Sequence, residues 1–175
     1  MRDQQVIIVE GPDRVGKTHI VDFLSNKLEI PKFKRNLKGF SEYDFFDEPD
    51  AFANAVKYDQ TYIVDFLRQT ECSVIFDRSY PSEWVYSKVF KRKSEELLLE
   101  LIDHEFSLLN TKLIVCLKEN YGKYQDKIEA VNENILEIDK MYNRFSNWTY
   151  CDNLVLYTDN EDINLQWEIL EGFVT

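Results

Sequence analysis

The apolar run at residues 6–9 leads through Glu10 into Gly11-Pro12-Asp13-Arg14-Val15-Gly16-Lys17-Thr18, and Ile20, Val21, Phe23, Leu24 and Leu28 then recur at helix spacing. A buried strand, a G-x-x-x-x-G-K-T loop and an amphipathic helix in that order make a P-loop, which commits the chain to an α/β sheet. Successive backbone N–H groups of such a loop wrap a phosphate, and the helix N-terminus adds partial positive charge. Lys17 is placed to reach β- and γ-phosphates, and the Thr18 hydroxyl to meet Mg²⁺. Side chains at Gly11 and Gly16 would obstruct the turn or the phosphate. The whole loop, Pro12, Asp13, Arg14 and Val15 included, is the candidate nucleotide cradle.

Further short apolar runs at 74–76, 113–117 and 154–157 read as strands buried on both faces, and 31–33 as a short second strand. Helical spacing returns at 98–109 and, as one long helix, at 128–145, while 172–175 reads as a helix stop and tail. Strands alternating with helices predict parallel strands joined by right-handed crossovers. The expected fold is therefore α/β, a P-loop NTPase-type three-layer arrangement of a five-stranded parallel sheet flanked by helices. With 175 residues the chain is read as one domain, 1–175, with a short lid at 118–127 that is polar and holds Gly122. That lid contains Lys118, Lys123 and Lys127 but no arginine, which leaves Arg14 as the arginine near the transferring phosphoryl.

Twenty-one Lys and Arg against 32 Asp and Glu give a charge of −11, which argues against a sequence-independent nucleic-acid binder but not against a small anion in a local pocket. No apolar run is long enough for a membrane span and the N-terminus is not signal-like, so the expectation is a cytoplasmic protein without a membrane partner. Cys72, Cys116 and Cys151 are widely spaced and read as small buried hydrophobes, and His19 and His104 as surface or packing residues.

After the run at 74–76 come Asp77-Arg78-Ser79-Tyr80-Pro81-Ser82-Glu83-Trp84-Val85-Tyr86. A carboxylate at the end of a buried strand beside the P-loop strand can serve Mg²⁺, and Arg78 would face the same crevice, its planar fork suited to an acceptor phosphate. An Asp–Arg pair capping the next helix is the alternative.

Residues 10–18 closely resemble the E-G-x-D-x-x-G-K-[ST] loop of thymidylate kinases. Asp77, Arg78, Ser82 and Tyr86 match that family's D-R-x-x-x-S-x-x-x-Y pattern. The two motifs cover about 20 residues, and the order of elements extends the likeness over most of the chain except 30–55. The resemblance implies that Asp13 touches a deoxyribose 3′-hydroxyl and that Arg14 supports the transferring phosphoryl. It further implies that Asp77 serves Mg²⁺, that Arg78 holds the acceptor phosphate, and that Tyr86 crowds a ribose 2′-hydroxyl. The family also carries an arginine and an aromatic before the third strand, for which Lys57 and Phe52 are the nearest equivalents, one residue off in spacing. Arg35, in Phe33-Lys34-Arg35, stands near the family's F-P-x-R stretch. Short loops suggest a phage-encoded relative, and a homodimer is a family expectation.

The reaction these features imply is ATP + dNMP → ADP + dNDP with Mg²⁺, dTMP or a related pyrimidine deoxynucleotide being the acceptor. ATP as donor follows from the resemblance alone. A deoxynucleoside kinase acting on a 5′-hydroxyl is the alternative. A P-loop module that binds without turnover and a polynucleotide 5′-end kinase come after it. The missing N-K-x-D element, for which residues 120–123 do not substitute, argues against a small GTPase.

Overall fold

The computed structural model describes residues 4–34, 51–122, 128–159 and 162–175, with 51–59 as backbone only. Five strands, β1 (Val6–Glu10), β2 (Lys32–Lys34), β3 (Val74–Asp77), β4 (Lys112–Leu117) and β5 (Asp152–Tyr157), form one sheet in the order β2-β3-β1-β4-β5. Every pairing is parallel, with Ile8 opposite Phe76 on one side and Leu113 on the other. The helices are α1 (Lys17–Leu28), α2 (Ala51–Thr70), α3 (Tyr80–Val89), α4 (Glu96–Leu108), α5 (Glu129–Glu133), α6 (Ile135–Trp148) and α7 (Ile163–Val174).

All five residues of β1 are buried, because alternate side chains enter opposite cores. Val6 and Ile8 join Val64 and Leu67 of α2, Tyr80, Trp84 and Val85 of α3, Leu99, Ile102 and Phe106 of α4, and Ile138, Tyr142 and Phe145 of α6. Ile7 and Val9 join Ile20, Val21 and Leu24 of α1 and Leu170 and Val174 of α7. The result is the expected three layers, and each fully buried aliphatic contributes about 1.5–3 kcal/mol. Aromatic pairs stiffen the first core, Tyr80 stacking on Phe106 at 5.3 Å and Trp84 meeting Phe145 edge-on at 5.2 Å. Cys116 and Cys151 lie buried and Cys72 half-buried.

Three expectations need correction. β2 begins at Lys32, one residue later than read. The seam at 128–145 is two helices, because Asn134 leaves helical geometry at φ −108° and its side-chain amide donates to the Ala130 carbonyl instead of continuing the turn. The chain end is also no tail: α7 runs through Gly172 to Val174, its N-terminus capped by Asp162, whose carboxylate accepts from the Leu165 N–H.

β1 lies between β3 and β4, so the strand order reverses beside it, and the crevice at the C-terminal strand ends is where such sheets bind ligands. Of the expected lid, 118–122 are described. The backbone N–H groups of Glu119 and Asn120 donate to the Asp159 carboxylate at 2.9 and 3.0 Å, which anchors the segment to the turn after β5. Residues 123–127 lie outside the described residues. No helix among the described residues is long and apolar enough to cross a membrane.

Candidate active site

The loop leaves β1 at Gly11, whose φ of +133° is open only to glycine, and a Cβ there would stand 2.1 Å from the Cys116 carbonyl oxygen of β4. It closes at Gly16, φ +92°, whose carbonyl accepts from the N–H groups of His19 and Ile20 as α1 starts. Arg14 also takes a left-handed backbone, φ +59°, and is exposed at the rim, while Pro12 and Val15 are buried beneath the loop. Lys17 is buried, donates to the Pro12 carbonyl and stands 3.8 Å from the Asp13 carboxylate. Burial, with the Arg78 charge beside it, brings its ammonium down to about 8 despite Asp13.

From β3, Asp77 is buried with its carboxylate 2.8 Å from the Lys34 ammonium, and these two residues are register partners of the parallel pair β2–β3. The next residue, Arg78, has φ +73° and donates its N–H to the Val9 carbonyl. Its guanidinium donates to Ser82 Oγ at 3.0 Å, the Tyr142 hydroxyl at 3.2 Å and Asp13 Oδ1 at 2.6 Å. Although partial burial opposes it, the Arg78 charge with help from Lys17 holds the Asp13 carboxyl below the usual range.

Beneath these groups Glu10 is fully buried. Its carboxylate accepts from the Ser79 N–H at 2.6 Å, Ser82 Oγ at 2.8 Å and the Tyr142 hydroxyl at 3.1 Å, with Arg78 3.9 Å away. Burial pushes its pKa up, against the opposing pull of Arg78 and these donors.

Asp13, Arg14, Gly16, Lys17, Thr18, His19, Lys34, Asp77, Arg78, Ser79 and Ser82 line a cleft of about 500 Å³. Four basic side chains against two carboxylates make it net cationic in a chain of charge −11. The sequence-derived candidates Asp13, Arg14, Gly16, Lys17, Thr18, Asp77 and Arg78 thus converge on one cleft. Tyr86 flanks it: its ring stacks on Phe90 at 5.9 Å, and the Arg78 guanidinium lies 5.8 Å from its centroid. Phe52 and Lys57 fall on α2 with side chains outside the described residues, as is Arg35. His19, read from sequence as a surface or packing residue, is exposed and reaches the cleft wall.

Three participants escaped the sequence reading. Glu10 ends an apolar strand just as Asp77 does, and that symmetry was a usable signal. Lys34 follows from the β2–β3 register once that is known. Tyr142 sits in an apolar helical seam and its hydroxyl leaves no mark on the spacing.

No group of three or more His, Cys, Asp or Glu among the described residues could hold a metal alone. A hydroxyl at Thr18 and a carboxylate at Asp77 on the same cleft instead fit Mg²⁺, which characteristically takes one or two protein oxygens and completes its shell from phosphates and water.

No family model matches the sequence, and no curated protein matches it. Among solved structures the chain is similar to YorR of Bacillus subtilis in complex with phosphorylated GDP, at TM-score 0.66 and 20% identity over 95% of this chain and 92% of that one. It is similar also to thymidylate kinase of Ehrlichia chaffeensis, at 0.64 and 15% identity over 98% and 99%. A deoxyadenosine kinase of M. mycoides with dCMP and dCDP bound matches at 0.59 and 19% identity over 95% and 97%. At these identities the likeness is one of fold, a five-stranded parallel sheet flanked by helices.

Proposed function

We propose that this chain is a P-loop kinase that transfers the γ-phosphoryl of ATP to a deoxynucleoside monophosphate, dTMP or a related pyrimidine dNMP. The observation carrying the reading is the net-cationic cleft in which Lys17 and Thr18 of the loop meet Asp77 at the end of β3 and Arg78 directly after it. The fold shared with a thymidylate kinase and a deoxyadenosine kinase supports it.

The loop from Gly11 to Thr18 holds the donor phosphates through backbone N–H groups, with Lys17 and Arg14 offsetting charge on the transferring phosphoryl. Thr18 and Asp77 would hold Mg²⁺, which would supply positive charge against that of the donor phosphates. Arg78 and Lys34 hold the acceptor phosphate, Arg35 and Lys57 add to it, Phe52 stacks on the base, and Asp13 meets the sugar 3′-hydroxyl. An acceptor phosphate oxygen forms the new bond to the γ-phosphorus as the bond to the β,γ-bridging oxygen of ATP breaks and ADP leaves. That oxygen is already anionic, so no strong base is needed.

A second reading, a deoxynucleoside kinase, draws on the two carboxylates, Asp13 and Asp77, that line the same cleft and could take a proton from a 5′-hydroxyl. One assay separates the two: ADP release from Mg·ATP with dNMPs, rNMPs and unphosphorylated deoxynucleosides, each product weighed by mass spectrometry. Turnover of pyrimidine dNMPs is the expected result. Turnover of nucleosides alone installs the second reading, and silence across the panel leaves a binding module.

Tyr86 is the proposed sugar sieve. Tyr86→Ala is expected to raise the rNMP-to-dNMP ratio of kcat/KM about ten-fold, since removing a wall of a pocket changes discrimination by that order. An unchanged ratio removes Tyr86 from that role.

A further inference from the structure

Arg78 has a backbone that a residue with a side chain rarely adopts, so its orientation must be held by its surroundings. Three of the five N–H donors of its guanidinium are engaged, two from Nη1 to Ser82 and Tyr142 and one from Nη2 to Asp13, and the Tyr86 hydroxyl bonds to the same guanidinium, which leaves at least one donor for a ligand. The direction of what remains decides how a phosphate can be met.

Tyr142 reaches this point from α6, 64 residues further along the chain, and is fully buried. A phenol has one proton to give. The Arg78 guanidinium can only donate, so the Tyr142 oxygen accepts from Nη1 and the phenol proton goes to Glu10 Oε2. Ser82 is polarised the same way, donating to Glu10 at 2.8 Å and accepting from Arg78 at 3.0 Å. Both acceptors of Nη1 therefore owe their orientation to one buried carboxylate, and turning the guanidinium would break both bonds at once. The Tyr142 ring also meets the Tyr86 ring edge-on at 6.4 Å, which fixes the phenol laterally.

We propose that Tyr142 is a positioning residue for the acceptor: its hydroxyl, standing between Glu10 and Arg78, sets the direction in which Arg78 offers what remains of its N–H donors to the acceptor's phosphate. This rests on the reading of Arg78 as the acceptor-phosphate ligand. It assigns a role in substrate recognition to a helix that carries none of the sequence motifs.

The test is Tyr142→Phe, which removes only the hydroxyl, measured beside wild type for KM and Kd of each of the four dNMPs, KM of ATP and Tm. Losing one hydrogen bond to a charged group is expected to raise the acceptor KM and Kd about ten-fold, with the ATP KM within about two-fold and Tm lower by a few degrees, as for any buried hydroxyl. Ser82→Ala is expected to do the same more weakly, and the double variant to lose less than the product of the two, since both hydroxyls serve Nη1. A purely structural hydroxyl would instead move both KM values together, which overturns the proposal, as does an unchanged acceptor KM in Tyr142→Phe. If wild type phosphorylates nucleosides alone and binds no dNMP, the reading of Arg78 fails on the wild-type result, and the proposal with it.

Discussion

Lys17→Ala is expected to lower kcat/KM for ATP about 10³-fold while leaving the protein folded. Among the described residues the ammonium is the one cation buried inside the phosphate cradle, and phosphoryl transfer depends on charge neutralisation more than on covalent participation. Folding should not suffer, because the buried charge carries a desolvation cost, visible in its lowered pKa, that alanine removes. Tm without nucleotide should stay level or rise, whereas the Tm increase that Mg·ATP gives wild type should largely vanish. The same group sets a pH limb. In the free protein Lys17 loses its proton as pH rises through about 8, so kcat/KM for ATP should fall above that point. Donor phosphates favour the charged form, and the corresponding fall in kcat should come at higher pH. A Lys17→Ala variant that keeps wild-type kcat/KM, or a wild-type profile flat between pH 7 and 9.5, contradicts this role.

The parts of this protein legible in sequence are those where the backbone itself dictates residue type. Gly11 and Gly16 stand at positive φ, and strands buried on both faces need unbroken apolar runs, so β1, β3 and β4 could be read from local pattern, whereas β5, read as the same kind of strand, is an edge strand in which Leu156 alone is buried. Asp77 and Arg78 were readable because a charged pair directly after such a run has few structural reasons to be there. The seam at 128–145 misled because its apolar spacing carries across Asn134, where a side-chain hydrogen bond to the Ala130 carbonyl interrupts the backbone without disturbing that spacing. Gly172 misled in the opposite sense: tertiary packing of Leu170 and Val174 against the sheet keeps the helix going through a residue of poor helix propensity.

What stayed hidden is the part of the site assembled across distance. Glu10 and Tyr142 lie 132 residues apart and meet only because α6 packs over the end of β1. Lys34 reaches Asp77 only through the β2–β3 register. Local pattern reports what one segment of backbone requires, whereas these contacts are properties of two segments at once. The cleft's cationic balance is of the same kind, since the four basic residues come from the loop, β2 and the end of β3 in a chain whose overall charge is strongly negative.

Gly11→Ala is expected to destabilise the protein by about 3–5 kcal/mol, combining a backbone conformation alanine rarely adopts with overpacking against a core strand. The added Cβ would sit 2.1 Å from the Cys116 carbonyl oxygen, and that carbonyl belongs to β4, which is paired on both sides, to β1 and β5. Neither partner has room to give: the side chain of Cys116 is itself buried in the core of α1 and α7. For a chain of this length the loss corresponds to a Tm roughly 10 °C lower. The loop would be displaced as well, so any remaining folded protein should bind Mg·ATP poorly. Gly172→Ala is the matched control, because that glycine lies within α7 with nothing within 4 Å of a Cβ, and alanine there should stabilise by about 1 kcal/mol. The same substitution thus has opposite signs at the two positions, and the sign is set by backbone φ and by what lies in the direction of the Cβ. Equal Tm values for the two variants would mean that the turn from β1 into the loop is not held against β4 as described, and the placement of the phosphate cradle at the sheet's strand-order reversal would fall with it.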